Sequence, residues 1–145
     1  VVGFLTQLRE ARASGDPDRI LQAIPYSRFI GVRAITAQDG TPVCELPFAP
    51  RIVGNPTLPA IHGGVIGALL EGAAILALLL EVDVAQVPKT INITVDYLLS
   101  GRGRTTYAQG QVFRQGRRVA TVRAEAWQDD RAKPIATANA HFLLV

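Results

Sequence analysis

Residues 62–81 read HGGVIGALLEGAAILALLLE, and the placement of that stretch decides the fold. From Val65 to Leu80 the only charged residue is Glu71. The run is shorter than the ~20 residues needed to span a bilayer. A carboxylate near its middle would cost roughly 2.5–3.5 kcal/mol or more in lipid. No basic flank anchors it. The stretch therefore reads as a helix over about 63–82, apolar on nearly every side and enclosed by other elements of a soluble protein. Gly64, Gly67 and Gly72 lower its helix propensity, a cost that makes sense where something must approach the helix closely.

Working outward, the chain before this helix carries an apolar helical face over about 2–13, stopped by Ser14-Gly15-Asp16-Pro17. A second short helix follows through Ile20, Leu21 and Ile24, and Pro25 is expected to end it. Two strand-like runs, about 29–38 and 43–48, meet at Asp39-Gly40 as a hairpin. Residues 49–61 read as irregular, punctuated by Pro50, Gly54, Pro56 and Pro59. After the helix come four strands, about 90–99, 104–113, 118–128 and 134–144, with turns at Gln115-Gly116 and Asp129-Asp130-Arg131. In the first of them Ile91, Ile93, Val95, Tyr97 and Leu99 are expected on one face, and Thr90, Asn92, Thr94 and Asp96 on the other. Short turns between long strands predict an antiparallel meander. The whole is α+β, a curved antiparallel sheet wrapping a central helix. It reads as a single domain over 1–145, with 1–25 as an N-terminal helical extension. Such a sheet leaves edges, and pairing with a second copy is the usual remedy.

The composition narrows the function. In 145 residues, 48% are apolar and 19% charged, enough for a real core and too hydrophobic for disorder. The net charge of +3 does not by itself indicate nucleic-acid binding, and the first 25 residues hold no DNA-binding helix pair. Cys44 is the only cysteine, so no intrachain disulfide forms, which fits a reducing, cytoplasmic setting. Two histidines and one cysteine are too few for a histidine/cysteine zinc site, and no metal is expected.

Two glycines open the long helix directly after His62. Unpaired N–H groups at a helix start carry the positive end of the dipole. Without side chains at Gly63 and Gly64 a ligand oxygen can come close, which is how an oxyanion site is built. Glu71 lies about 12 Å further along the axis at ~1.5 Å per residue. That is too far from Gly63 of its own chain to share one carbonyl easily. If both act on one carbonyl, they come from two chains with antiparallel helices.

The segment His62-Gly63-Gly64, with an acid nine residues after the histidine, resembles the hot-dog-fold acyl-CoA thioesterases of the PaaI-like group. So do the strand Thr90-Ile91-Asn92-Ile93-Thr94-Val95-Asp96-Tyr97-Leu98, the turn Gly116-Arg117-Arg118, and the later Pro134-Ile135-Ala136-Thr137-Ala138. The resemblance covers roughly 27–145 and implies hydrolysis of an acyl-CoA to free acid and CoA, with no cofactor beyond the coenzyme A of the substrate. It implies that the Gly63 N–H polarises the thioester carbonyl and that Glu71 of the partner subunit is nucleophile or general base. His62 and Asn55 would position the thioester or the water, with Gly64 and Thr90 beside the substrate. It implies a dimer or a tetramer. Two departures stand out. Many members of the group carry aspartate where this chain has Glu71, and the loop from Asn55 to His62 is about one residue longer than usual.

Plainer readings stand beside these. Glu71 could pair with a buried arginine instead. Asn55 before Pro56 is by default a turn residue, and Thr90 a polar strand residue. Cys44, His141 and Trp127 read as structural. From 102 to 133 there are eight basic residues against three acids. Most such side chains are simply solvated, but Arg102, Arg104 and Arg117 are the candidates for CoA phosphates. Two rival functions remain. Gly54-Asn55-Pro56 with Pro59 faintly resembles the hot-dog hydratases and dehydratases acting on enoyl or hydroxyacyl substrates, but those need a histidine just before that glycine, where Arg51 and Ile52 stand. The other rival is a non-catalytic acyl-CoA-binding module.

Overall fold

Gly110 shows how tightly the central helix is held: a Cβ there would lie 2.6 Å from the carbonyl oxygen of Ala73. The computed structural model describes residues 2–83 and 87–144. Val1 and Val145, the ends of the span read as one domain, lie outside the described residues, as do 84–86. The central helix, α4, spans Gly63–Glu81. Three helices precede it, α1 (Val2–Ser14), α2 (Pro17–Ala23) and α3 (Pro25–Ile30), followed by strands β1 (Arg33–Thr36) and β2 (Pro42–Leu46). A single 3-10 turn over Pro50–Ile52 leads into a small ribbon, β3 (Val53–Asn55) and β4 (Ala60–Ile61). After α4 come β5 (Lys89–Tyr97), β6 (Thr106–Gln115), β7 (Val119–Trp127) and β8 (Ala136–Leu143).

Six strands form one antiparallel sheet in the order β1-β2-β6-β7-β8-β5. The face turned toward α4 is lined mainly by small side chains: Ala108, Ala120, Ala124, Ala126, Ala136, Ala138 and Ala140 are all buried, with Val122 and Phe142 among them. Against them the helix sets Leu69, Leu70, Leu78 and Leu79, each 2% exposed or less. Large residues on the helix thus meet small ones on the sheet, which lets the two backbones approach closely. α4 is long and apolar enough to cross a membrane by composition, but these leucines occupy the core of this fold. Leu8, Ala11, Ile20 and Leu21 of α1 and α2 belong to the same core.

Arg12 on α1 ties the first helix to the end of α4. Its guanidinium donates to the carbonyls of Leu79 (3.2 Å) and Val82 (2.8 Å) and pairs with Asp83. A cation at a helix C-terminus satisfies orphan carbonyls and complements the dipole. Asp16 caps α2, its side chain accepting from the Asp18 N–H. Asp18 in turn accepts from the Ala34 N–H at 2.8 Å, joining α2 to β1.

The structure departs from the sequence reading in five places, four of them in the elements themselves. Pro25 does not close the helical region: it ends α2 and opens α3, where proline is accommodated because the first-turn N–H has no helical partner anyway. The strand expected from 29 starts only at Arg33. The stretch 49–61 is not wholly irregular, since it holds the 3-10 turn and the β3–β4 ribbon. The four last strands are not a simple meander: β6, β7 and β8 are, but β5 crosses to the far edge and pairs with β8.

β5 also breaks its period. A bulge between Thr90 and Asn92 leaves Ile91 without a pairing partner. Thr90 pairs with the buried Phe142, so it joins the helix-facing side with Ile93 and Val95, and not the outer side with Asn92, Thr94 and Asp96. Ile91 is left 53% exposed. On the outer face the His141 ring lies 2.8 Å from the Asn92 side-chain oxygen.

Candidate active site

The β3–β4 ribbon seats His62. Its N–H donates to the Ile52 carbonyl at 2.8 Å, and a Cβ on Gly54 would lie 2.7 Å from the His62 Cα. His62 is the N-cap of α4, with its Nδ1 accepting from the Gly64 N–H at 2.9 Å. An accepting Nδ1 places the imidazole proton of the neutral ring on Nε2. A Cβ on Gly64 would lie 2.9 Å from the ring, so this glycine is required by the histidine above it.

The first-turn donors can now be accounted for. Val65 and Ile66 donate to the His62 carbonyl, and Gly64 donates to the His62 ring. Among the described residues the Gly63 N–H has no acceptor. Of the two adjacent glycines expected near a substrate oxygen, Gly63 keeps an open donor and Gly64 does not. Tyr97 holds Gly63 in place: its hydroxyl donates to the Gly63 carbonyl at 2.6 Å, and its ring would stand 3.4 Å from a Cβ there. The sequence reading gave Tyr97 no role beyond strand alternation. A hydroxyl at the end of an apolar strand face was the available signal.

Glu71 projects from α4 into a cavity of about 300 Å³, lined by Ile24, Tyr26 and Ser27 as well as Gly67, Ala68, Gly72 and Ile75 of the helix and Ile93 of β5. Its carboxylate makes no hydrogen bond or ion pair with the described residues. The alternative of a structural acid bound to a buried arginine therefore has no partner within the described chain. A carboxylate without a partner among the described residues, on a largely apolar helix and beside a cavity, marks a candidate functional group.

Asn55 is exposed and serves as a turn residue, its side-chain oxygen accepting from the Thr57 N–H at 3.0 Å. Thr90 stands at the start of β5 and Tyr97 at its end, roughly 23 Å apart at ~3.3 Å per residue. Within one chain, Thr90 and Gly63 are thus far from each other.

The arginines fall into two groups. Arg104 is bound to Asp129 at 2.7 Å, and Arg102 lies in the adjoining loop, whose backbone is held by Gln128. Arg117 belongs to the β6–β7 hairpin, where Arg114, Arg117 and Arg118 line an open groove of about 610 Å³. The ten residues of β6 separate the groups by roughly 30 Å. The hairpin end is shared with the start of β5: Lys89 and Val119 both pair with Leu143, and the Arg118 carbonyl accepts from the Leu144 N–H. Arg131 is engaged with Glu125, Gln109 and the Trp127 ring, and Arg123 covers Phe113. Cys44 is buried, and burial pushes its thiol pKa up to about 12, which leaves it inert at neutral pH.

A curved antiparallel sheet around an apolar helix defines a hot-dog fold, and its candidate site pairs an open amide at the helix head with a carboxylate that has no partner among the described residues. The chain belongs to the Thioesterase superfamily, whose family pattern matches residues 58–135. It is 29% identical over 134 residues to the medium/long-chain acyl-CoA thioesterase YigI of Salmonella typhimurium, covering 83% of this chain and 86% of that one. The Escherichia coli K12 protein of the same name is 28% identical over the same length. Among solved structures, a Chromobacterium violaceum protein is 38% identical, with 97% of each chain covered and a TM-score of 0.76. A Bacillus halodurans protein crystallised with CoA shares the fold at 20% identity, covering 99% of this chain and 91% of that one, with a TM-score of 0.73.

Proposed function

We propose that the chain hydrolyses medium- to long-chain acyl-CoA thioesters to free acid and CoA, in sites shared between two copies. The observation that carries this reading is Glu71, a carboxylate without a partner among the described residues at the edge of a largely apolar cavity. Hydrolysis needs a donor for the developing oxyanion, a carboxylate, and an apolar place for the acyl group. Gly63 N–H is the donor, at the positive end of the α4 dipole. As a general base Glu71 takes a proton from a water that attacks the carbonyl carbon Gly63 polarises, the carbon–sulfur bond breaks, and the proton passes to the sulfur as CoA leaves as the thiol. As a nucleophile Glu71 attacks that carbon itself, CoA leaves with a proton from solvent, and water then hydrolyses the mixed anhydride to the free acid. His62, held by its Nδ1, presents Nε2–H toward the substrate. Gly64 contributes by admitting the ring, and Asn55 stands at the turn leading to it.

Two chains supply what one cannot. β5 is a nine-residue edge strand carrying two charges, Lys89 and Asp96, with Ile91, Tyr97 and the adjoining Leu98 and Leu99 more than half exposed. A long apolar edge of this kind is a template for a second copy. Antiparallel pairing of two β5 strands about a twofold axis sets Thr90 of the partner subunit opposite Tyr97. It brings Glu71 of the partner subunit toward Gly63. The same operation moves Arg117 of the partner subunit from the far end of the sheet to the end that holds Arg102 and Arg104, where one CoA would meet arginines of both chains. A tetramer would pair two such dimers. The route uses no metal and no cofactor beyond the CoA of the substrate. A cytoplasmic setting is in keeping with a free, buried cysteine.

The test is Glu71→Gln assayed by thiol release from a series of acyl-CoAs. Loss of a general base predicts a fall of about 10²–10⁴ in kcat. Thermal stability should hold, since the carboxylate has no hydrogen bond or ion pair among the described residues to lose. Full activity in this variant would overturn the assignment. Hydration of an enoyl-CoA without thiol release would favour the hydratase reading, and tight acyl-CoA binding without turnover the binding module.

A further inference from the structure

We propose that α3 sets the size of the acyl group: the acyl tail lies in the cavity between α3 and α4, with Tyr26 as its adjustable wall and Gly72 as its floor. This rests on the thioesterase reading of Glu71 and extends it to specificity. The cavity has a carboxylate on one side and is otherwise built largely of apolar or small groups: Ile24, Tyr26, Ala68, Gly72, Ile75 and Ile93. At about 300 Å³ it lies at the small end of ligand sites. Gly72 is the telling residue. It sits within a long helix where alanine would be more stable, yet a Cβ there would meet nothing within 4 Å. Helix packing does not require that glycine, whereas an acyl chain beside Glu71 would use the space.

The wall is held firmly. Ile24 joins α2 to α3 without a loop, and the Ser27 carbonyl accepts from both Gly31 and Val32. Gln22 of α2 donates to the Val32 carbonyl at 3.0 Å. The Tyr26 ring is stacked on Phe29 with centroids 5.9 Å apart. Both rings are more than half exposed, so Tyr26 can be truncated with little loss of core packing. Each methylene that leaves water for such a slot gains about fourfold in binding, so a modest change in its volume shifts preference across a chain-length series.

The experiment measures kcat/KM for straight-chain acyl-CoAs from short to long, in the wild type, Tyr26→Ala and Gly72→Val, with melting temperature and oligomeric state as folding controls. Tyr26→Ala should raise the long-to-short ratio by about tenfold, and Gly72→Val should lower it by at least as much. Gly72→Val carries the test alone if Tyr26→Ala does not fold. Ratios within twofold of wild type in the folded variants, or a shift in the same direction in both, would overturn the proposal while leaving the hydrolase reading intact. No thiol release from any acyl-CoA by the wild type would overturn the hydrolase reading itself.

Discussion

The imidazole of His62 accepts the Gly64 amide proton at 2.9 Å and fills the space where a Gly64 side chain would stand. The neighbouring glycines therefore serve different ends, one admitting the cap and the other leaving its own N–H open. Gly64→Ala should displace the ring and cost about 1 kcal/mol, as loss of an N-cap does. His62→Asn keeps a capping oxygen and should unfold in urea close to wild type, while hydrolysis falls. Wild-type turnover in His62→Asn would reduce the imidazole to a cap.

Sharing of the site between chains is open to complementation. Glu71→Gln keeps the open amide, and Gly63→Val keeps the carboxylate while crowding Tyr97, and neither alone should turn over. Mixed and allowed to exchange subunits, half the dimers are heterodimers, each with one intact site, so roughly a quarter of wild-type activity should return. Recovery of none would place each site within one chain.

Gly110→Ala tests the closeness of helix and sheet. Its Cβ would stand 2.6 Å from the Ala73 oxygen and 2.9 Å from the Ala73 carbonyl carbon, both backbone atoms that move only with the helix. A loss of about 1–3 kcal/mol is expected, the range for overpacking. Urea unfolding measures it, and an unchanged midpoint would mean that α4 slides freely on β6.

Cys44 gives a pH dependence with a definite sign. Its thiol is raised from an ordinary 9.0 to about 12, chiefly by burial and secondly by the charge of Asp18. The folded state favours the protonated form, so this contribution is complete below pH 9 and is lost as pH rises toward 12. The slope of stability against pH in that window should be shallower in Cys44→Ala than in wild type. At pH 8 a thiol reagent should label Cys44 only as fast as the protein unfolds. Rapid labelling of the native protein would show that the site is open.

Much of the fold was legible because its strongest signal is local. The apolar run around Glu71 is too short and too charged for a membrane and too apolar for a surface, so an enclosing sheet follows from it. What escaped is what depends on distant partners. The pairing of β5 with β8 is set by how the sheet closes around α4, and no residue in β5 announces it. The bulge at Ile91 turns Thr90 inward, whereas strict alternation places it outward. Pro25 reads equally as an end and a beginning. Of the proposed site, His62, Gly63 and Glu71 are singled out by their spacing and by the resemblance, but the hold of Tyr97 on Gly63 spans 34 residues and has no local signature.

The grip of Arg12 on the last turn of α4 has a consequence for how the chain comes together. Its acceptors, Leu79 and Val82, lie 67 and 70 positions later in the sequence. During synthesis α1 emerges before α4, so what it must clasp is not yet made. Contacts of such separation form only after the intervening chain has been closed into a loop. Although α1 is translated before α4, its clasp on α4 is thus made late, and until then the carbonyl end of α4 remains open to water.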